Sequence, residues 1–257
     1  MTTNNAAARL LGAYVTGVPI EPISGGPDSV TVGEAYAIQL AQVDRWRRDG
    51  RLVRGHKIGL TSAAMQEQLG IDQPDYGHLF ADMFFPPGEP VPVARFLQPR
   101  AEPEIAFVLA GELAGPGVTV EDAVAAVGAV HPALEIIDSR IADWRIGLVD
   151  TIADNASSGG VVLGAEALPV SATDLAGVRC AFAVNGAVVA TGLGSDVEGT
   201  PLGALTWLAN RLGALGHRIE AGHVVLSGSL TKAVPVGAGD VVTADFPRLG
   251  SVRAAFV

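Results

Sequence analysis

The sequence predicts an α+β fold, with a smaller α-rich N-terminal part followed by a C-terminal domain of mixed, rolled β-sheets. Three observations lead there. Long apolar helical patterning is concentrated before Gly50. After Pro90, short β-branched and apolar runs recur with Gly or Pro between them, as many short strands would. One clear amphipathic helix interrupts those runs, with Leu205, Leu208, Leu212 and Leu215 on a common face and its end near Gly216. A chain of 257 residues is long enough to bury a large core.

In chain order, Ala6 to Val15 is Ala-rich, apolar and helical in character, and Gly25-Gly26-Pro27-Asp28 breaks the chain after it. Thr31 followed by Glu34 has the spacing of a capping box. It opens a helix through Ala35, Ile38, Leu40 and Val43 that ends in Arg45, Arg47 and Arg48, charges suited to a helix C-terminus. His56 to Ser62 reads as a short strand running into a helix start, with Ser62 capping Ala63 to Leu69. Asp72 to His78 is rich in turn formers and is expected to be a loop. Pro86-Pro87-Gly88 and Pro90 suggest a boundary, dividing the chain into an α-rich region 1–88 and a β-rich domain 89–257. Within the second part, Glu102 to Leu109 alternates like a strand and Thr119 begins a helix running through Val127. Strands are then expected at Ala133 to Ile137, Val161 to Leu163, Cys180 to Val184, Ala187 to Ala190, His223 to Leu226, Val241 to Ala244 and Val252 to Phe256.

Composition narrows the function. Apolar residues make up 49% and charged residues 17%, values of an ordinary globular protein. A formal charge of −10 argues against nucleic acid or an anionic membrane as partner, since phosphate binding needs a basic face. An anionic small substrate stays compatible, provided that positive charge is concentrated locally. The single Cys180 leaves no internal disulfide or cysteine-based zinc cluster, and fits a reducing compartment. The first residues lack the pattern of a secretory signal, and no apolar run reaches the roughly 20 residues of a membrane helix. A cytoplasmic protein is expected. Of 17 basic residues only Lys57 and Lys232 are lysines, which draws attention to each as a compact charge with a tunable pKa.

The segment Arg100-Ala101-Glu102-Pro103-Glu104 carries the sharpest local signal. Residues two apart on a strand share a face, so Glu102 and Glu104 point the same way. Such a pair either lies at a solvated strand end beside Arg100 or holds a cation between its carboxylates. Glu135, inside the apolar run Leu134-Glu135-Ile136-Ile137, is a third acid that must face solvent or find a partner inside. Together the three make an oxygen-only set suited to Mg²⁺ or Mn²⁺. Zinc is disfavoured, because His pairs at helical spacing and Cys pairs are both missing.

The segments GHKIGLTSAAMQEQLGIDQPDYGHLFADM, LQPRAEPEIAFVL, PALEIIDSRIADWRIGLVDTIADNASSG and VVLSGSLTKAVPVGAGD resemble the 2-keto-4-pentenoate hydratases. Those enzymes are close relatives of the 4-oxalocrotonate decarboxylases within the fumarylacetoacetate hydrolase superfamily. The resemblance runs in order from about Ala35 to Val257. The E-x-E with a distant Glu is shared across the superfamily, whereas DWRIGLVDTIADNAS is closer to the hydratase branch.

The resemblance implies a fumarylacetoacetase-like β-rich domain, a metal held by Glu102, Glu104 and Glu135, and a homo-oligomer. It also implies a lyase that adds water to a 2-hydroxy-2,4-dienoate, giving a 4-hydroxy-2-oxo acid in meta-cleavage catabolism of aromatic compounds. Lys57 is the cation expected near the enolate or carboxylate, and Asp75 the candidate acid/base on a loop able to close over the site. Ser157, Ser229 and His78 are candidate substrate-binding residues. His131, Asp138 and Arg140 are read as ion-pair residues supporting the ligands, and Trp144 and Trp207 as core or interface aromatics. The alternatives are a 4-oxalocrotonate-type decarboxylase, an acylpyruvate C–C hydrolase, for which no convincing His–Glu pair is present, and a non-catalytic scaffold.

Overall fold

The computed structural model describes residues 2–24, 30–61, 73–197 and 200–257. In chain order the described elements are α1 (Thr3–Thr16), α2 (Val32–Arg48), β1 (Val53–Gly59), β2 (Asp75–Phe80), β3 (Phe84–Phe85), β4 (Arg100–Leu109), α3 (Val120–Ala126), β5 (Val127–Ile137), α4 (Leu148–Ala153), β6 (Ser158–Leu163), β7 (Arg179–Val184), β8 (Ala187–Leu193), α5 (Pro201–Gly213), β9 (Val224–Ser229), β10 (Val234–Pro235), β11 (Val241–Phe246) and β12 (Gly250–Ala255).

Local chemistry accounts for the helix ends. Thr31 and Glu34 form the expected capping box at the start of α2, satisfying two backbone donors that would otherwise be orphaned. A cap of this kind contributes about 1 kcal/mol. Thr119 with Asp122 caps α3 in the same way, and Thr200 with Pro201 opens α5. The C-terminus of α4 is finished from outside: Gln39 and Gln42 of α2 donate to the carbonyls of Ile152 and Ala153.

The strands form two sheets. The larger runs β2-β1-β9-β4-β5-β6-β3, with β10 paired to β4. It is mixed, since β1–β9 and β3–β6 pair in parallel while its other pairs are antiparallel. The smaller sheet, β12-β11-β7-β8, is antiparallel. The main core joins Ile58, Phe107, Leu134 and Ile136 of the large sheet to Phe182, Val242, Ala244 and Val252 of the small one and to Leu205 and Leu208 of α5. The α+β class with rolled, mixed sheets is what the strand pattern predicts.

Two expectations change. Residues 75–78 are strand rather than loop: Asp75 to Phe80 pairs antiparallel with β1 despite its turn-forming composition, because tertiary pairing outweighs a weak local preference. The break expected at residue 88 falls inside one continuous sheet, since β1, β2 and β3 precede it and β1 pairs directly with β9. The helix expected at Ser62 to Leu69 and the break at Gly25 to Asp28 lie outside the described residues. Among the described residues, no helix is long and apolar enough to cross a membrane.

Candidate active site

The register of the large sheet collects the acids. Glu102 on β4 is the direct partner of Glu135 on β5, and Glu104 lies opposite Ser229 on β9. Alternation along β4 sends Ile105 and Phe107 into the core and leaves Glu102 and Glu104 on the other face. The β4–β9 register shifts between Glu104 and Ala106, a bulge that takes in Ser227 and Gly228 and re-aims the backbone beside the site. It turns the Gly228 N–H onto Glu104 Oε2 at 2.8 Å. Gly228 has φ +106°, and a Cβ there would collide with the Thr61 side chain, so glycine is required.

One carboxylate oxygen from each of Glu102, Glu104 and Glu135 lies within 4.8 Å of the others. Glu102 is 8% exposed, and Glu104 and Glu135 are fully buried. Burial, with the neighbouring carboxylates adding to it, pushes Glu102 up to about 7 and Glu104 well above the usual carboxylate range. Burial likewise raises Glu135, against the pull of Lys57. Among the described residues Glu104 Oε1 and Glu135 Oε1 have no hydrogen-bond partner. Three acids packed so closely with so few donors are unstable as bare anions, and a cation between them offsets both the repulsion and the desolvation cost. The donors are all oxygens, which suits a hard divalent ion. The residues therefore fit a divalent metal.

Lys57 on β1 reaches the same face. Its Nζ lies 3.3 Å from Glu135 Oε2 and donates to the Ala156 carbonyl at 3.0 Å. Burial by itself would lower its pKa, but the carboxylates of Glu135, Asp75, Glu102 and Glu104 outweigh that and raise it. The surrounding carboxylates thus favour the ammonium form of Lys57, which is suited to stabilising negative charge. Asp75 is 1% exposed at the start of β2, register partner of Gly59. A Cβ at Gly59 would collide with Asp75 Oδ1, so this glycine lets the carboxylate lie flat against β1, near Lys57 Nζ. Desolvation raises the Asp75 pKa, while Lys57 and the Thr151 hydroxyl, which donates to Asp75 Oδ2 at 3.3 Å, oppose the rise.

The carbonyl that anchors Lys57 sits in an unusual turn. Asn155, Ala156 and Ser157 all have left-handed backbones, with φ of 54°, 51° and 53°. For non-glycine residues this costs of order 1 kcal/mol or more apiece, and persists only where surroundings enforce it. Arg140 enforces it from within the core. Its Nε donates to Asp154 Oδ1 at 2.6 Å, one terminal nitrogen to the Asp154 carbonyl at 2.9 Å and the other to the Ser158 carbonyl at 3.2 Å. Asn155 then clasps β2, accepting from the His78 N–H at 2.8 Å and donating to the His78 carbonyl at 2.9 Å.

The structure thus brings Glu102, Glu104, Glu135, Lys57 and Asp75 to one region, with Ser157 attached through Thr151, whose Oγ1 lies 3.4 Å from Ser157 Oγ. His78 does not join them. It is the register partner of His56, and its ring packs 5.0 Å from His56 on the sheet face opposite Lys57. Ser229 is beside Glu104, but its hydroxyl donates to the Thr231 carbonyl at 2.7 Å and closes its own turn. Asp138 and Arg140 form an ion pair at 3.5 Å, as expected, and Arg140 also braces the 154–158 turn. Thr151 and Asn155 escaped the sequence reading. The one available signal was the density of polar residues in DTIADNASS, which turn composition also explains.

Comparison with known proteins accords with this geometry. Residues 41–257 match the family described as fumarylacetoacetate (FAA) hydrolase C-terminal. The 2-keto-4-pentenoate hydratase of Paraburkholderia xenovorans (strain LB400) is 45% identical over 251 residues, covering 98% of this chain and 93% of that protein. The 2-hydroxyhexa-2,4-dienoate hydratase of Comamonas testosteroni is 44% identical over 234 residues, covering 90% and 89%. Among solved structures, 4-oxalocrotonate decarboxylase from Pseudomonas putida G7, complexed with magnesium and adipate, superposes with a TM-score of 0.94 at 34% identity, covering 100% of this chain and 99% of that one. With the fold, the buried acids and these full-length similarities in agreement, the chain belongs to the fumarylacetoacetate hydrolase family.

Proposed function

We propose that this protein is a metal-dependent hydro-lyase that adds water to a 2-hydroxy-2,4-dienoate, giving a 4-hydroxy-2-oxo acid in the catabolism of aromatic compounds. The observation that carries the reading is the buried Glu102–Glu104–Glu135 cage beside the Lys57 side chain, in a chain 45% identical to a 2-keto-4-pentenoate hydratase. Mg²⁺ or Mn²⁺ suits the all-oxygen cage, the former being the ion in the decarboxylase structure.

The reaction moves protons as well as water. The C2 hydroxyl loses its proton and C5 gains one, giving a 2-oxo-3-enoate. Water then adds at C4, and C3 takes a proton. When bound, the divalent ion supplies Lewis-acid stabilisation to negative charge on the C2 oxygen. The Lys57 ammonium spends one donor on Ala156 and faces Glu135 with another, which leaves a third for a substrate oxygen. It stabilises the enolate without needing to reorient. Asp75, poised by burial to hold a proton at higher pH than an exposed carboxylate, serves as the proton carrier. Ser157 donates to, or accepts from, a substrate oxygen. Neither His78 nor Ser229 has a part in this scheme. Assembly into a homo-oligomer belongs to the same proposal.

A panel of 2-hydroxydienoates, followed by loss of ultraviolet absorbance and by product mass with and without chelator, tests it. Metal-dependent formation of a product one water heavier supports the reading. A second reading, decarboxylation of a 4-oxalocrotonate-like acid, is favoured by the close superposition on the decarboxylase. Released CO₂ in place of hydrated product would select it.

A further inference from the structure

Thr151 lies on α4, is not one of the clustered acids, and is 6% exposed. Its Oγ1 is 3.3 Å from Asp75 Oδ2 and 3.4 Å from Ser157 Oγ, so it joins one proposed functional residue to another. Both contacts are long for hydroxyl hydrogen bonds. Such distances are common before a ligand tightens a site. The two ends of the chain are fixed independently: Asp75 by β1 at Gly59, and Ser157 by the left-handed turn that Arg140 braces.

We infer that Thr151 is a positioning residue whose hydroxyl couples the protonation state of Asp75 to the hydrogen-bonding polarity of Ser157. The inference rests on the proposed roles of Asp75 and Ser157. An ionised carboxylate can only accept, so Thr151 must then give its single hydrogen to Asp75 and offer a lone pair to Ser157. Ser157 gives its own hydrogen to Thr151 and presents only lone pairs to the substrate. Once Asp75 has taken a proton from the substrate or from the attacking water and holds it on Oδ2, the oxygen that faces Thr151, the order reverses. Asp75 donates to Thr151, Thr151 donates to Ser157, and the Ser157 hydrogen is released toward a substrate oxygen. No covalent bond changes beyond the one proton that Asp75 gains; the Asp75 carboxyl turns its O–H toward Thr151, and the two hydroxyls rotate. The site therefore offers an acceptor before that proton transfer and a donor after it, when an oxygen on the substrate needs one.

The test is a set of variants assayed with 2-hydroxyhexa-2,4-dienoate in the presence of saturating Mg²⁺. Thr151→Val keeps the shape and removes the hydroxyl, and should lower kcat about ten-fold or more while KM stays nearly constant, the effect of losing one hydrogen bond to a charged group. Thr151→Ser should restore most of the activity, which a role in packing alone would not allow, because serine lacks the methyl group. Combining Thr151→Val with Ser157→Ala should cost no more than the worse single change, since both cut the same chain. Fully additive losses, an unaffected kcat in Thr151→Val, or no rescue by serine would overturn the coupling. Asp75→Asn separates the two claims. If it is inactive while Thr151→Val is normal, the coupling fails and the proton carrier stands. If Asp75→Asn is fully active, the reading of Asp75 fails and the coupling with it.

Discussion

Glu102 and Glu135 are register partners on adjacent antiparallel strands, so two acids meet where a sheet ordinarily places an apolar or opposite-charge pair. With Glu104 on the same face, the arrangement weakens the fold wherever no cation is present. Glu104→Gln should therefore abolish metal-dependent turnover, yet leave the metal-free protein at least as heat-stable as the parent. The parent should gain about 2.7 kcal/mol at a metal concentration of 100 times Kd, and the variant little or none. Paired thermal melts with and without Mg²⁺ check this. Full activity of the variant after exhaustive chelation would contradict the metal role.

The same acids set a pH dependence. Glu102 ionises at 4.5 when free of its surroundings and at about 7 in the fold. Its folded value is raised, so its contribution to stability is complete below 4.5 and is lost as pH rises toward 7. A metal binds the deprotonated form, so its affinity grows across that window and protons are released. The metal-induced rise in melting temperature should increase between about pH 5 and about pH 7.5. Calorimetry in buffers of different ionisation enthalpy should detect the released protons; a shift independent of pH would count against the arrangement.

Lys57 is the only described lysine near the acids, and its ammonium is fixed at both Glu135 and Ala156. Lys57→Met keeps the aliphatic stem and removes the charge. In metal-saturated protein kcat should fall by about 100-fold or more, the scale of losing a placed electrostatic stabiliser. The melting temperature should change little by comparison. If the loss of activity merely tracked unfolding, Lys57 would have only a structural part.

His78 makes the opposite case. Burial, with His217 and Arg47 adding to it, lowers its pKa to about 4 from 6.5. A depressed imidazole contributes stability above 6.5 that is lost as pH falls toward 4. His78→Gln should leave kcat at neutral pH within about three-fold, under about 0.7 kcal/mol of barrier. It should also make stability fall less steeply on acidification. Melts across the acid range measure the second effect, and a large loss of kcat would return His78 to the active site.

These contrasts show what the sequence could disclose. Glu102 and Glu104 were legible because a period of two is a local property, independent of what packs around it. Glu135 stood out as an acid within an apolar run, although its pairing with Glu102 depends on strand register. His78 was misplaced for a specific reason: three positions from Asp75, it must face the other way once both lie on a strand, and turn-forming neighbours disguised that strand as a loop. Thr151 was illegible, since a helical threonine gains meaning only when packing sets it between the sequence-distant Asp75 carboxylate and the Ser157 hydroxyl. Likewise, the division expected near residue 88 overlooked the parallel pairing of β1 with β9, a contact between distant segments that composition cannot foretell.

That parallel pairing has a consequence for biosynthesis. Lys57 leaves the ribosome early, whereas Gly228, whose N–H steadies Glu104, is made near the end of translation. Until β9 emerges and slots between β1 and β4, the acids and the ammonium have no shared sheet to hold them together. Pairings so far apart in sequence are slow to form, because the loop entropy must be met before the contact stabilises the fold. The β4–β5 hairpin can therefore gather the three acids midway through synthesis, and Lys57 joins them only once β9 has docked.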